Sequence, residues 1–106
     1  MTILNNNMNH ASAAALVMNA FKKTAKVNFK PYHWTFTTKD GTETVEFIAG
    51  KLESQYVYTR VKKFLCFKLG VERVYLSSSD AEMDMALWHQ MGDVMHNTVA
   101  RFGVNA

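Results

Sequence analysis

The chain has 106 residues, of which 48% are hydrophobic and 20% are charged, and this composition is typical of one folded domain and excludes a disordered chain. The net charge of +3 is unevenly distributed, since residues 1–39 contain five lysines and no acidic residue whereas residues 40–106 carry a net charge of −2. The single cysteine, Cys66, excludes an internal disulfide, so we expect a cytoplasmic protein. No signal peptide or membrane anchor is predicted, because the apolar run 11–21 is too short to cross a bilayer.

The first predicted element is a helix that ends at Lys26. It starts at Asn9 or Ser12, either of which can cap a helix, and its apolar residues fall on one face at about 100° per residue. Lysines near its end suit the negative end of the helix dipole. The preceding residues 1–9 lack periodicity and are predicted to fray, which leaves residues 10–106 as a single domain.

Residues Tyr32 to Ala49 are predicted to form a β-hairpin closed by Asp40 and Gly41. Asp-Gly is a strong hairpin signal because glycine adopts positive φ without steric cost. A two-residue loop places three apolar pairs on one face: Tyr32 with Ala49, Trp34 with Phe47, and Phe36 with Val45. The other face then carries mainly polar side chains: His33, Thr35, Thr37, Thr44 and Glu46.

Residues 53–69 fit two interpretations. Apolar residues at helical spacing and Gly70 in a C-cap position favour a helix, whereas the alternation over 56–61 favours a third strand. We predict a helix, because the segment is longer than a typical strand. Residues 71–76 are predicted to be a strand added to the hairpin.

A last helix is predicted to begin after Ser78 or Ser79 and to end before Gly103. Its apolar face contains Met83, Leu87, Trp88, Met91, Val94, Met95, Val99 and Phe102. The predicted class is therefore α+β, with a small, mostly antiparallel sheet of hairpin 32–49 plus strand 71–76. Two or three helices pack on one face of this sheet, in the order α-β-β-α-β-α.

Few residues carry an obvious chemistry. His89, Asp93 and His96 share one face of the last helix at a spacing that metal ligands can use, but no second cluster completes a site, and a solvated polar face is the favoured interpretation. Lys62 and Lys63 lie near Cys66 and would lower its thiol pKa, yet no base can be placed beside it, so we interpret it as structural. We expect no cofactor and no enzymatic activity, since no phosphate-binding loop, serine elbow or catalytic carboxylate pair is present.

The favoured hypothesis is a non-enzymatic binding module that acts stoichiometrically on a larger protein, as a regulator or inhibitor. Small proteins of this type are often encoded by phages or mobile elements. The uneven charge favours a partner with an acidic surface, and four methionines in the last helix (Met83, Met85, Met91 and Met95) offer an adaptable apolar surface. The candidate binding residues are Lys22, Lys23, Lys26, Lys30, His33, Thr35, Thr37, Arg60, Lys62 and Lys63.

The alternative hypothesis is nucleic-acid binding. It depends on two lysine-rich groups, the first formed by Lys22, Lys23, Lys26 and Lys30 and the second by Arg60, Lys62, Lys63 and Lys68. Aromatic residues near these groups would provide stacking surfaces.

Overall fold

The computed structural model describes residues 2–3, 8–64 and 67–103. Within them the chain forms β1 (Thr2–Ile3), α1 (His10–Lys22), β2 (Thr24–Lys30), β3 (His33–Thr38), β4 (Glu43–Ala49), β5 (Ser54–Phe64), β6 (Phe67–Ser77) and α2 (Met85–Arg101). The strands build one sheet in the order β1-β6-β5-β4-β3-β2. Strands β2 to β6 are antiparallel neighbours, and β1 pairs with β6 in parallel. The α+β class and the mostly antiparallel sheet are therefore confirmed.

The predicted register of the central hairpin is confirmed. Trp34 pairs with Phe47 and Phe36 with Val45. Phe36 and Val45 are buried, while Trp34 and Phe47 are half-buried with ring centroids 6.0 Å apart. Gly41 has a φ of +74°, which glycine adopts without the steric cost that a Cβ would bring. The hairpin therefore folds as the Asp-Gly signal indicated.

The placement of Tyr32 on the core face was wrong. This residue is 77% exposed and has a φ of +62°, because it forms the tight turn with Pro31 that links β2 to β3. Its carbonyl still accepts a hydrogen bond from the amide of Ala49, at 2.9 Å.

The helix predicted over residues 53–69 was wrong. The segment forms β5 and enters β6, so the order α-β-β-α-β-α is replaced by β1, α1, five consecutive antiparallel strands and α2. The segment is a strand because its core residues alternate. Tyr56 and Tyr58, two positions apart, both point into the core, as the period of two of a β-strand requires. The predicted strand 71–76 lies inside β6, but it pairs with β5 and not with the hairpin.

Helix α1 ends at Lys22, before the predicted end at Lys26. Asn9 is its N-cap and accepts a hydrogen bond from the amide of Ser12 at 2.8 Å, so the first of the two predicted caps is confirmed. The chain leaves the helix at Thr24 because Val27 and the following residues of β2 pair with β3 and extend the core.

Helix α2 begins at Met85, later than predicted, with Asp84 as its N-cap. The Asp84 carboxylate accepts a hydrogen bond from the amide of Ala86 at 2.9 Å. Turns occupy the preceding residues, where Asp80 accepts a hydrogen bond from the amide of Glu82 at 3.0 Å. Met85 is 50% exposed, but the three other methionines considered for an adaptable surface are buried in the core: Met83, Met91 and Met95.

Both helices pack against the face of the sheet that carries Phe36, Val45, Tyr56 and Tyr58. Phe21 of α1 lies at the centre, with its ring centroid 4.9 Å from that of Phe36 and 5.9 Å from that of Tyr56. This one core buries α1 and one face of the sheet, and no helix among the described residues covers the second face of β2 to β6.

Candidate functional site

The described helices leave the second face of the sheet uncovered. We call it the open face and define it by the outward residues of β2 to β6: Lys26, Asn28, Lys30, His33, Thr35, Thr37, Thr44, Glu46, Ile48, Gln55, Val57, Thr59, Val61, Val71, Arg73 and Tyr75. Since side chains alternate along a strand, these residues point away from the core that the helices cover.

The register arranges the open face in rows that run across five strands. One row reads Lys26, Thr37, Thr44, Thr59 and Arg73. Its cations therefore lie at the two ends and are separated by four strand spacings, roughly 19 Å in total. The Arg73 Nε donates to the Thr59 hydroxyl at 3.4 Å, while no described residue forms a hydrogen bond with the side-chain hydroxyls of Thr37 and Thr44. The row thus presents two hydroxyls without a described hydrogen-bond partner between two positive charges.

A neighbouring row changes from polar to apolar along its length. It reads Asn28, Thr35, Glu46, Val57 and Tyr75. Val57 is almost fully buried by its neighbours, whereas Tyr75 is 43% exposed. The open face thus has a polar part on β2 and β3 and a more apolar part on β5 and β6.

His33 is tied to Glu46 across the hairpin. The Nε2 atom of His33 lies 2.9 Å from an oxygen of Glu46 in the adjacent strand. This contact occupies the only carboxylate of the open face, so its three cations Lys26, Lys30 and Arg73 dominate the charge of that surface.

Two of the other predicted binding residues, Arg60 and Lys62, lie on the helix side of the sheet. Arg60 and Lys62 both bind the carboxylate of Glu72, and one Arg60 amino group is 2.5 Å from it. Burial acts to raise the pKa of the Glu72 carboxyl, but hydrogen bonds from Lys62 and Arg60 outweigh this effect and hold the pKa below its ordinary value. The buried Glu72 carboxylate therefore partly neutralises these two cations.

Lys23, near the end of α1, is also bound to a carboxylate of the protein. It lies 2.5 Å from Glu43, whose other oxygen accepts a hydrogen bond from the Tyr58 hydroxyl at 2.7 Å. Lys22 is exposed beside α2. The structure hence divides the first lysine group, with Lys26 and Lys30 on the open face and Lys22 and Lys23 on the helix side.

Two predictions concern residues at the far end of β5 and β6. Cys66 lies outside the described residues, and so do the side chains of Lys63 and Lys68. The ends of these strands extend past β4, whose last pair with β5 is Glu43 with Arg60. They form a two-stranded ribbon that carries the exposed apolar residues Phe67 and Leu69.

The weak metal candidates His89, Asp93 and His96 line one small cleft beside α2. In the part of the chain that the structure describes, no group of three or more metal-ligating side chains is close enough to hold an ion. The helical spacing brings these residues to one side without bringing their side chains together.

The sequence predicted His33, Thr35 and Thr37 as binding residues but not the β5 and β6 part of the open face. The missed residues are Thr59, Val61, Val71, Arg73 and Tyr75. Their alternation was visible over 56–61, but their position depended on which strands pair.

Comparison with family models, with curated proteins and with solved structures finds no significant match for this chain. No helix among the described residues is long and apolar enough to cross a membrane.

Proposed function

We propose that this protein is a non-enzymatic binding module that acts stoichiometrically on a larger protein, as a regulator or inhibitor, through its open face. The observation that carries this proposal is the threonine row that ends in Lys26 and Arg73, on a side of the sheet that neither helix covers. A surface that combines polar groups with a few apolar side chains has the composition of a non-obligate protein interface.

The charge of the open face supports a partner with an acidic surface. Lys26 and Lys30 are exposed on β2, and Arg73 is half-buried near the other edge. Complementary charge accelerates encounter and selects the partner, so association should be faster at low ionic strength.

The apolar contribution would come from β6. Tyr75 is 43% exposed beside Val57, and an aromatic side chain with a polar end is a frequent anchor of protein interfaces. The threonine hydroxyls would form hydrogen bonds that set the orientation of the partner.

The test compares variants with the same change in charge. The protein, the open-face variant Lys26→Glu/Lys30→Glu and the control variant Lys22→Glu/Lys51→Glu are immobilised and exposed to lysate of the organism that encodes the protein. All four lysines are exposed, but the control pair lies outside the open face. Bound proteins are then quantified by mass spectrometry, and the stoichiometry of the main one is measured.

The proposal predicts one dominant protein that binds the unmodified chain and the control at near-equal stoichiometry and is lost from the open-face variant. Equal retention on all three, or loss from the control alone, would contradict it. Circular dichroism of each variant confirms that the fold is intact.

One observation supports nucleic-acid binding as a second candidate function. The two-stranded ribbon beyond β4 has the shape that a DNA major groove admits, and Phe67 and Leu69 are 66% and 67% exposed on it. Lys62 lies at its base, although it also binds Glu72.

This candidate is tested by gel retardation of DNA and RNA at low salt. If the ribbon binds, Lys62→Glu/Lys63→Glu weakens retardation while Lys22→Glu/Lys23→Glu does not, and affinity falls steeply with salt because counterions are released. Absence of retardation at low salt would remove the candidate.

A further inference from the structure

Strand β2 forms one edge of the sheet, and no described residue pairs with it on its outer side. The opposite edge differs, because β1 pairs there with β6. Unpaired backbone groups along the edge of a sheet can form hydrogen bonds with a further strand. The edge of β2 is therefore a place where an extended chain can join the sheet.

The backbone groups that β2 directs outward belong to Val27 and Phe29. Successive residues of an antiparallel strand turn their N–H and C=O groups alternately to its two sides. The Tyr32 carbonyl faces β4, where it accepts a hydrogen bond, so the next residue, His33, faces β2, and its partner Lys30 faces inward. Alternation from Lys30 then turns two N–H and two C=O groups of Val27 and Phe29 outward, and no described residue bonds to them.

The side chains of β2 differ between its two faces. Lys26 and Lys30 are exposed on the open face, and neither forms an ion pair with a described residue. Val27 and Phe29 are half-buried on the helix side, where the ring centroid of Phe29 lies 5.5 Å from that of Trp34. A strand added to this edge would therefore meet cations on one face and apolar side chains on the other.

The two lysines oppose the pairing of β2 with a second copy of itself. In the antiparallel register that pairs Val27 of one chain with Phe29 of the other, Lys26 lies opposite Lys30. Like charges directly opposite each other destabilise a strand pair, and lysines on edge strands commonly prevent self-association. Charge complementarity instead favours a strand that carries acidic residues at these positions.

We propose that β2 binds an extended acidic segment of the partner protein as an additional edge strand. The segment would place acidic residues opposite Lys26 and Lys30 and apolar residues opposite Val27 and Phe29. Its pattern is therefore acidic, apolar, polar, apolar, acidic. The β-bulge between Thr24 and Lys26 ends the regular part of the edge, so the fit is limited to these positions.

This inference rests on the proposed function, because Lys26 and Lys30 also belong to the open face, and it names the segment of the partner that these lysines would meet. It adds backbone hydrogen bonds, which a partner lying on the open face alone would not form. These bonds give the edge site a readout of its own.

The test is an NMR titration with synthetic peptides whose ends are blocked. The first peptide, Thr-Glu-Val-Thr-Val-Glu-Thr, has the proposed pattern. In the second, lysine replaces both glutamates. In the third, Thr-Val-Glu-Thr-Glu-Val-Thr, the composition is the same but the acidic and apolar residues exchange faces.

We expect the first peptide to slow hydrogen exchange of the Val27 and Phe29 amides, while the Asn28 amide, which faces β3, is unchanged. The two control peptides should bind about tenfold more weakly, because each loses the opposite charges across the strand pair. Equal binding of the three peptides, or no protection of these amides by the first peptide at millimolar concentration, would overturn the proposal.

A pair of variants at one position tests the backbone contribution. Val27→Pro removes an outward N–H group, which an edge strand tolerates, whereas Val27→Ala keeps the N–H group and shortens the side chain. The proline variant should bind the first peptide about tenfold more weakly than the alanine variant. Equal affinity would contradict strand addition. Circular dichroism checks that both variants fold, and amide protection in the unmodified chain decides the question if the proline variant does not.

The edge site and the proposed function can fail separately. Capture of a protein that depends on Lys26 and Lys30, without protection of the Val27 and Phe29 amides by the first peptide, would overturn strand addition and leave the proposed function intact. Protection of these amides without any captured protein would support the edge site and contradict the proposed function.

Discussion

Thr37 and Thr44 lie opposite each other in the β3–β4 pair, at the middle of a row that ends in Lys26 and Arg73. This pairing belongs to the hairpin that the sequence predicts most clearly. It places both side chains on the open face because Phe36 and Val45, their neighbours along the strands, enter the core. The same alternation that buries one face of the sheet thus places these two hydroxyls on the other face, which no described helix covers.

Phe36→Ala should strongly destabilise the protein. The ring is 1% exposed and contacts Phe21 at a centroid distance of 4.9 Å, so its removal leaves a cavity in the core. We expect a loss of about 3–5 kcal/mol in the free energy of unfolding, measured by urea denaturation. Thr35→Ala, on the open face, should change it by less than about 1 kcal/mol. Similar effects of the two variants would contradict the assignment of faces.

Two side chains of α2 hold the end of α1. An Arg101 amino group donates to the carbonyl of Phe21 at 3.0 Å, and the Thr98 hydroxyl shares its one proton between this carbonyl, at 3.2 Å, and that of Val94, at 2.9 Å. Thr98→Val and Arg101→Ala should each lower the free energy of unfolding by about 1 kcal/mol, because the remaining donor can still bind this oxygen. The double variant should lower it by more than the sum of the two single effects. A double-mutant cycle in urea measures the difference, and strict additivity would show that the two donors are not coupled.

Acid should weaken the fold in part through Glu72. The pKa of the Glu72 carboxyl is lower in the folded protein than in the unfolded chain, where it is about 4.5. The unfolded chain therefore binds a proton more readily as the pH falls below this value. Stability is lost until the pH has passed through the lower pKa of the folded protein. Glu72→Gln should therefore be less stable at neutral pH and lose less stability on acidification. Urea denaturation from pH 7 to 3 measures both slopes, and parallel curves would contradict this role.

Much of the fold could be predicted because the signals were local. The Asp-Gly turn and the alternation around it determine the hairpin register, and Asn9 and the apolar face determine the start of α1. Residues 53–69 were misassigned because Val57, Val61 and Phe64 fit a helical spacing as well as a strand. Pairing with β4 and β6 resolves this ambiguity, and such long-range contacts are not encoded in a local pattern.

The candidate site was predictable only in part for the same reason. His33, Thr35 and Thr37 follow from the hairpin alone, whereas Arg73 and Tyr75 join them only through β5. The lysine groups were close in sequence but separate in space, since alternation and the carboxylates of Glu43 and Glu72 draw some of their members to the helix side.

Site-specific photo-cross-linking in living cells tests the central claim most directly. Thr44→p-benzoylphenylalanine places the probe at the centre of the open face, and Leu52→p-benzoylphenylalanine places it in a loop where the side chain is 98% exposed. We expect irradiation to give one discrete protein adduct from position 44 and none from position 52. Adducts from position 52 alone, or none from either position, would contradict the proposal that the open face binds a protein.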